Sequence, residues 1–330
     1  MNWSSIFQQA ISQAFGLNAV VFAMATIGLN VHFGYTGLLN FGHIGFVAMG
    51  GYGVGMAITT FGLNPYLGLL VGIVYALLFA LILGVPTLRL RGDYLAIVTI
   101  AASEVFRIVV RSTTLAPLTG GNTGITAFAA PFYDLNPFTE RLYSFGPFFY
   151  TGPNLFMITV GWPLVILVTV AIWQLMRSPW GRVVKAIRED EDAARALGKN
   201  AYWYKLQSLM LGGAIGGLAG ILLAIGNSTV QPDYFVPVQT FFLWAALILG
   251  GVGRIWSPIV GSMLFWALLT ITDGVMRGLQ STGAIPSWLM DGPQVGQVRF
   301  MLVGLGLALL MVYRPQGIFG SRQEMMLDAR

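Results

Sequence analysis

Long stretches without a charged residue constrain this chain more than any other feature of its sequence. Residues 155–176 and 206–225 each hold about twenty mainly apolar residues, the length that a helix needs to cross a bilayer. The chain is 56% hydrophobic and only 9% charged, which excludes an ordinary soluble globular protein. The sequence therefore predicts an all-α, polytopic integral membrane protein with about 8 to 10 transmembrane or broken helices.

The remaining apolar segments are predicted at residues 14–31, 38–61, 66–88, 93–110, 238–250, 259–271 and 298–313. Glycines are concentrated in two places, within segment 38–61 and between segments 238–250 and 259–271. We expect residues 32–37 to interrupt the first span, and the glycine-rich segment 38–61 to be a broken or tightly packed helix. Segments 238–250 and 259–271 flank a second glycine run and are short enough to be half-helices. Irregular backbone at membrane depth persists only when it is buried in protein or lines a cavity, so both breaks are candidates for a pathway.

A densely charged segment, residues 178–205, separates two of the apolar spans. Ser178 before Pro179 is a helix-start signal, and Gly198 is a helix-stop signal. Apolar residues recur at helical spacing on one side and basic residues on the other, which predicts short amphipathic helices bent near Glu189. A loop that only sets orientation needs a few basic residues and no apolar stripe. The two-sided pattern therefore favours docking to a partner, with the orienting loop as the alternative.

The distribution of basic residues predicts the orientation of the chain. One side would carry Arg89, Arg91, Arg254, Arg314, Arg322, Arg330 and every basic residue of segment 177–205. Because basic residues favour the cytoplasmic side, this face is predicted to be cytoplasmic, and the amino terminus lies outside. We divide the chain into an amino-terminal segment (1–13), a transmembrane domain (14–320, with the cytoplasmic loop 178–200) and a cytoplasmic tail (321–330).

A few polar or flexible residues at membrane depth could carry function. The candidate pathway residues are Asn40, His43, Glu104, Arg107, Gly250 and Gly251. Glu104 and Arg107 share a helix face, and ionisable groups in a bilayer need a partner or water. They are either an ion pair that joins helices or a contact for a polar substrate. His43 could bond a substrate, or its neighbours could simply satisfy it.

Glycine spacing in segment 206–225 predicts close helix contact. Gly212, Gly216 and Gly220 recur every four residues, which is the pattern that lets two helix backbones approach. No Gly-x-x-x-x-Gly-Lys-Ser/Thr sequence is present, so a P-loop nucleotide site is not expected. With no cysteine and two histidines, a metal site is not expected either. We predict no enzyme activity, no cofactor and no nucleic-acid partner.

Six motifs in order resemble the branched-chain amino-acid ABC importer permeases, M-type subunit. They are GYTGLLNFGHIGFVAMGGYG from Gly34, PTLRLRGDYLAIVTIAASEVFR from Pro86, TGGNTGI from Thr119, GRVVKAIREDEDAARALG from Gly181, LILGGVGRIWSPIVGSML from Leu247 and YRPQGIFG from Tyr313. The resemblance covers most of the chain, about residues 29–319. It departs from the family at Lys199 and Trp203, and the loop 128–150 matches poorly.

The resemblance implies an ABC importer permease fold in a bacterial inner membrane. It also implies a second permease subunit in a heterodimer, two cytoplasmic ATPases and an external solute-binding protein as partners, in addition to membrane lipid. The residues expected to couple to the ATPase are Arg182, Lys185, Ile187, Arg188, Glu189, Asp190, Ala194, Leu197 and Gly198. The expected function is transport of leucine, isoleucine and valine. A related permease for urea, amides or other amino acids, and a self-sufficient channel or secondary transporter, are the alternatives.

Overall fold

The structure is a computed structural model that describes residues 2–89, 92–281, 292–313 and 317–318. Within these residues, five helices are long and apolar enough to cross a membrane: Leu17–Tyr35, Pro65–Thr87, Gly152–Arg177, Ala201–Asn227 and Ser257–Ser281. The predicted all-α membrane fold is therefore confirmed. The predictions for Arg91, Arg314, Arg322, Arg330 and the tail 321–330 lie outside the described residues.

The helices follow one another along the chain with little intervening sheet. The first group is α1 (Trp3–Phe15), α2 (Leu17–Leu29, continued by a π-helical segment, Asn30–Tyr35), α3 (His43–Thr59), α4 (Pro65–Thr87) and α5 (Gly92–Arg111). The second is α6 (Ala116–Thr119), α7 (Ala130–Tyr133), α8 (Gly152–Arg177), α9 (Pro179–Glu189), α10 (Glu191–Ala196) and α11 (Ala201–Asn227). The last is α12 (Pro237–Gly250), α13 (Ser257–Ser281) and α14 (Gly292–Tyr313).

Short strands occur only in the loops of the described region. They are β1 (Ile125–Thr126), β2 (Leu142–Phe145), β3 (Phe148–Thr151) and β4 (Thr229–Val230). β1 pairs with β4, and β2 pairs with β3, both antiparallel. Both pairs lie at the ends of helices opposite to α9 and α10. They therefore belong to the outer side if the charged loop is cytoplasmic.

The basic residues orient the bundle, because α8 ends at Arg177 directly before the charged loop. α2, α4 and α8 then run inward, whereas α5, α11 and α13 run outward. α3 is a half-helix, because its first residue His43 lies beside Gly216 in the middle of α11. α12 has only 14 residues and is the second short helix of the core. Both short helices stand next to a break in the chain, at residues 36–42 and 251–256.

Two expectations about these breaks are wrong. Residues 32–37 do not interrupt the first span: the helix continues through Tyr35 in π-helical form, and the break follows it. The wider π-helical turn keeps the backbone hydrogen-bonded past Gly34, where an α-helix had been expected to stop. Segment 259–271 is not a half-helix either, because α13 extends to Ser281 and has 25 residues. Its apolar run appeared short because Asp273 and Arg277, which pair with each other at 2.8 Å, end the uncharged stretch.

α11 is the central helix of the core and packs on α2, α3 and α4. Its glycines lie where backbones cross: a Cβ added at Gly220 would overlap the carbonyl oxygen of Val47 in α3. A Cβ at Gly212 would overlap the His32 ring and lie 2.6 Å from the carbonyl oxygen of Gly28. Such close crossings bring polar backbone and imidazole groups of three helices together in the middle of the bundle.

Candidate functional site

The charged loop folds into two short helices, α9 and α10. We call residues 178–200 the cytoplasmic element, after the side of the membrane that its basic residues predict. The Ser178 hydroxyl accepts a hydrogen bond from the Gly181 N–H, and the Asp190 carboxylate accepts one from the Ala193 N–H at 2.9 Å. Gly198 ends the element in the left-handed conformation, with φ of 76°. The start at Pro179 and the bend near Glu189 are therefore as predicted, because each is set by a local cap.

The nine predicted coupling residues are not all on the surface of the cytoplasmic element. Ile187 and Ala194 are buried and form its small apolar core with Ala201. The exposed ones are Arg182, Lys185, Glu189, Asp190, Leu197 and Gly198. Leu197 is 79% exposed, which is unusual for a leucine and makes it the most prominent apolar point of the element. Ile187 and Ala194 thus hold the two helices together rather than face a partner.

Arg188 joins the cytoplasmic element to the π-helical segment of α2. Its Nη1 donates a hydrogen bond to the carbonyl oxygen of Gly34 at 2.5 Å. Its Cγ lies 3.2 Å from the position that a Cβ at Gly37 would take, and Gly37 has φ of 75°. Lys185, one turn earlier, places its Nζ 5.8 Å from the ring centroid of Tyr35. A displacement of α9 would therefore act directly on the inner end of α2.

Asn30, at the start of the π-helical segment, connects α2 to the second break in the chain. Its Nδ2 donates to the carbonyl oxygen of Arg254 at 2.9 Å, and its Oδ1 accepts from the Gly253 N–H at 3.0 Å. The Asn30 side chain is buried, so these two bonds satisfy backbone groups that no helix satisfies. Asn30 is not among the candidate residues predicted from the sequence. The sequence feature that identifies it is a carboxamide side chain at membrane depth.

A buried hydrogen-bonded chain holds the first break. The carbonyl oxygen of Leu209 lies 3.0 Å from His32 Nε2, so this nitrogen carries the proton and donates. His32 Nδ1 then accepts from the Asn40 amide at 3.0 Å. The Asn40 Oδ1 accepts from the Gly42 N–H at 3.0 Å, and its main-chain oxygen accepts from the Trp244 indole at 3.2 Å. The neutral Nε2–H form of His32 fits this arrangement, whereas an imidazolium would confront the Asn40 amide with a second donor.

His43 lies next to this chain of hydrogen bonds but takes no part in it. Its ring is 5.2 Å from the His32 ring and lies between Gly28 and Gly216, each of whose added Cβ would be 3.1 Å from it. The Ala25 carbonyl lies near the ring, outside the geometry of a formed hydrogen bond. Among the described residues, neither nitrogen of this fully buried imidazole has a hydrogen-bond partner. His43 thus places two ring nitrogens that make no hydrogen bond to the described residues at the centre of the bundle.

A cavity of about 210 Å³ opens above His43 between α2, α3, α11, α12 and α13. Its apolar wall includes Val21, Ile44, Val47, Leu223 and Leu243. Its polar wall includes Asn18, Asn227, Asp233 and Gln239. The cavity can therefore receive a small molecule that has one apolar and one polar end.

The predicted pathway residues fall in three places rather than one. Asn40 and His43 are in the centre, next to the cavity. Glu104 and Arg107 form a bidentate ion pair on α5, with contacts of 2.5 and 2.9 Å, and Arg107 lies 3.8 Å from Asp233 of the outer turn. Gly250 and Gly251 form the inner end of α12. A Cβ at Gly250 would overlap the Ser257 carbonyl oxygen, and Gly251 has φ of 110°.

The helices and these polar connections define a multi-pass α-helical membrane protein with two broken segments and a folded cytoplasmic element. Comparison with known families identifies it further. Residues 14–290 match the family described as branched-chain amino acid transport system / permease component, and the chain belongs to that family. With its several spanning helices, this member of the family is a multi-pass protein of the bacterial inner membrane.

Individual relatives support the assignment. The chain is similar to the high-affinity branched-chain amino acid transport system permease protein LivM of Escherichia coli K12, with 32% identity over 91% of this chain and 68% of the relative. It is similar to LivM of Salmonella typhimurium, with 33% identity over the same shares. A nucleoside ABC transporter permease protein, NupC of Lactococcus lactis, is 26% identical over 83% of this chain and 85% of the relative. No solved structure matches the chain at a significant level.

Proposed function

We propose that this chain is the permease subunit of an ATP-driven importer for branched-chain amino acids, and that partner subunits hydrolyse the ATP. The family and the LivM relatives support the substrate class. The observation that carries the coupling role is the hydrogen bond from Arg188 to Gly34, since it ties the cytoplasmic element to the helix that borders the cavity.

The chemistry of the outer cavity is compatible with this substrate class. Branched-chain amino acids have an apolar side chain and a polar, zwitterionic end. In the cavity, Val47 and Leu243 can contact the apolar side chain of the substrate. The Asp233 carboxylate and the neighbouring amides can contact its polar end. A carboxylate favours the ammonium group of the substrate. A volume of about 210 Å³ is sufficient for one such molecule.

The connections inside the bundle give a route from the cytoplasmic element to both breaks. A partner ATPase would dock on the exposed side of the element, at Leu197 and the neighbouring charges, and displace α9. Arg188 would transmit this movement to Gly34, and Asn30 would transmit it to Gly253 and Arg254. The same helix carries His32, which is bonded to Asn40 of the first break. One displacement would therefore bias both half-helices between inward-open and outward-open states.

The partners of this proposal are two cytoplasmic ATPases, a second permease and an external solute-binding protein. Reconstitution with these subunits in proteoliposomes tests the function. ATP-dependent uptake of radiolabelled leucine that requires every subunit supports it, and leucine uptake by this chain alone without ATP refutes it.

A matched pair of substitutions tests whether the cavity is on the route. Leu223 and Leu218 are both half-buried residues of α11, but only Leu223 lines the cavity. Leu223→Trp would fill much of the cavity, so we expect it to abolish leucine uptake, whereas Leu218→Trp leaves uptake within about twofold of the unmodified protein. Equal loss of uptake in both variants would exclude a specific role for the cavity. Co-purification of the subunits checks that both variants assemble.

A further inference from the structure

A second cavity, of about 570 Å³, lies at the inner end of the bundle, on the side opposite to the proposed substrate cavity. It is formed where α8 ends, where α9 begins and where the second break leads into α13. Three of its lining side chains are cations, Arg177, Lys185 and Arg254, and none of the described lining side chains is acidic. A concave site with this concentration of positive charge favours an anionic ligand.

Aromatic rings accompany the cations in this cavity, which we call the basic cavity. Trp173, Trp256 and Tyr35 line it together with Ser257. The guanidinium carbon of Arg177 lies 4.0 Å from the Trp173 ring centroid, so the aromatic ring holds this arginine in place. Trp256 is 56% exposed at the surface of the bundle. Tryptophan beside arginine at the end of a spanning helix is typical of the level at which lipid headgroups meet water.

Position and charge together distinguish a lipid from a soluble anion. Arg177 is the last residue of the spanning helix Gly152–Arg177, whose outer surface carries exposed apolar residues such as Leu167. A ligand in the basic cavity can therefore keep acyl chains against α8 while its headgroup contacts the cations. The cytoplasmic leaflet is also the leaflet in which anionic lipids attract basic segments.

We propose that the basic cavity binds the phosphate-bearing headgroup of one anionic phospholipid of the inner leaflet. The Arg177 guanidinium and the Lys185 ammonium would bind the phosphate oxygens, and Trp256 would contact the glycerol region. Because Lys185 also faces Tyr35, the bound lipid would lie next to the junction between the cytoplasmic element and α2.

Native mass spectrometry of the protein released from nanodiscs tests this proposal. The nanodiscs contain equal amounts of phosphatidylglycerol and phosphatidylcholine. We expect retained phosphatidylglycerol to exceed retained phosphatidylcholine. Arg177→Gln should lower that retention about fivefold, because it removes a cation that contacts the bound phosphate, and one cation contributes about 1 kcal/mol to the binding of anionic lipid. Arg177→Lys should keep most of it. Equal retention of the two lipids by the unmodified protein would overturn the proposal.

A matched control and a soluble competitor complete the experiment. Lys199→Gln also removes one cation from the cytoplasmic side, but Lys199 is exposed and does not line the basic cavity, so phosphatidylglycerol retention should stay unchanged. If Lys199→Gln lowers retention as much as Arg177→Gln, the attraction is nonspecific and the site is refuted. Displacement of the lipid by millimolar glycerol 3-phosphate would indicate a soluble-anion site instead. Loss of subunit assembly in Arg177→Gln, with unchanged lipid retention, would assign the cavity to a protein contact.

Discussion

Replacing Arg188 with alanine removes one defined connection between the cytoplasmic element and the membrane bundle. One interaction that is lost is the hydrogen bond of 2.5 Å from its guanidinium to the Gly34 carbonyl oxygen. A hydrogen bond from a charged donor contributes about 1.5–3 kcal/mol, which corresponds to roughly a 10- to 150-fold change in an equilibrium constant. Arg188 is only half-buried, so the low end of that range applies, about tenfold.

The assay is ATP-dependent leucine uptake by the reconstituted transporter, divided by the ATP hydrolysed in the same vesicles. We expect Arg188→Ala to lower this ratio about tenfold while ATP hydrolysis continues. The control is Arg195→Ala, because Arg195 belongs to the same element but, among the described residues, forms its ion pairs with Glu191 and Asp192 at the surface. Its effect on the ratio should stay within about twofold.

Two results would refute this reasoning about Arg188. An unchanged uptake-to-ATP ratio would show that the bond to Gly34 transmits nothing. Loss of the ATPase subunits during purification of Arg188→Ala would show that the arginine acts in docking rather than in transmission. The melting temperature of the variant distinguishes both results from a general loss of stability.

Three further predictions concern the buried connections. Asn30→Leu leaves two backbone groups unpaired at about 1–3 kcal/mol each, so we expect a lower thermal midpoint and weaker uptake; an unchanged midpoint would contradict this. Gly220→Ala should destabilise the bundle or prevent its assembly. Gly304→Ala should have little effect, because no atom lies within 4 Å of a Cβ added at Gly304. Size-exclusion chromatography in detergent compares the two variants. His32→Leu should lower thermal stability more than His43→Leu, since only His32 has hydrogen-bond partners, and equal losses would count against the assigned network.

The cytoplasmic element was predictable in detail because its signals are local. The Ser178 cap, the bend near Glu189 and the left-handed Gly198 each act within about four residues, and all three are present in the structure. The assignment of its apolar residues was less accurate. Ile187 is buried because it packs with Ala194 in the small apolar core, whereas Leu197 is exposed and caps the end of α10.

The connections between helices were not predictable from one sequence. His32 and Leu209 are 177 residues apart, and no local pattern joins them. The π-helical segment Asn30–Tyr35 has no distinct sequence signature. For this reason the sequence predicts that residues 32–37 interrupt the first span. Polar residues at membrane depth were the available signal, and it pointed to His43 and Asn40 but was not applied to Asn30.

Movement of the inner break in response to ATP tests the central claim most directly. The chain has no cysteine, so spin labels can be placed at Leu135 on the outer side and at Trp256 on the inner side. Pulsed electron paramagnetic resonance then measures the distance between the two labels in the assembled transporter with and without ATP. The account predicts an ATP-dependent change in this distance that Arg188→Ala abolishes. The same change in the Arg188→Ala variant, with ATP bound, would contradict it.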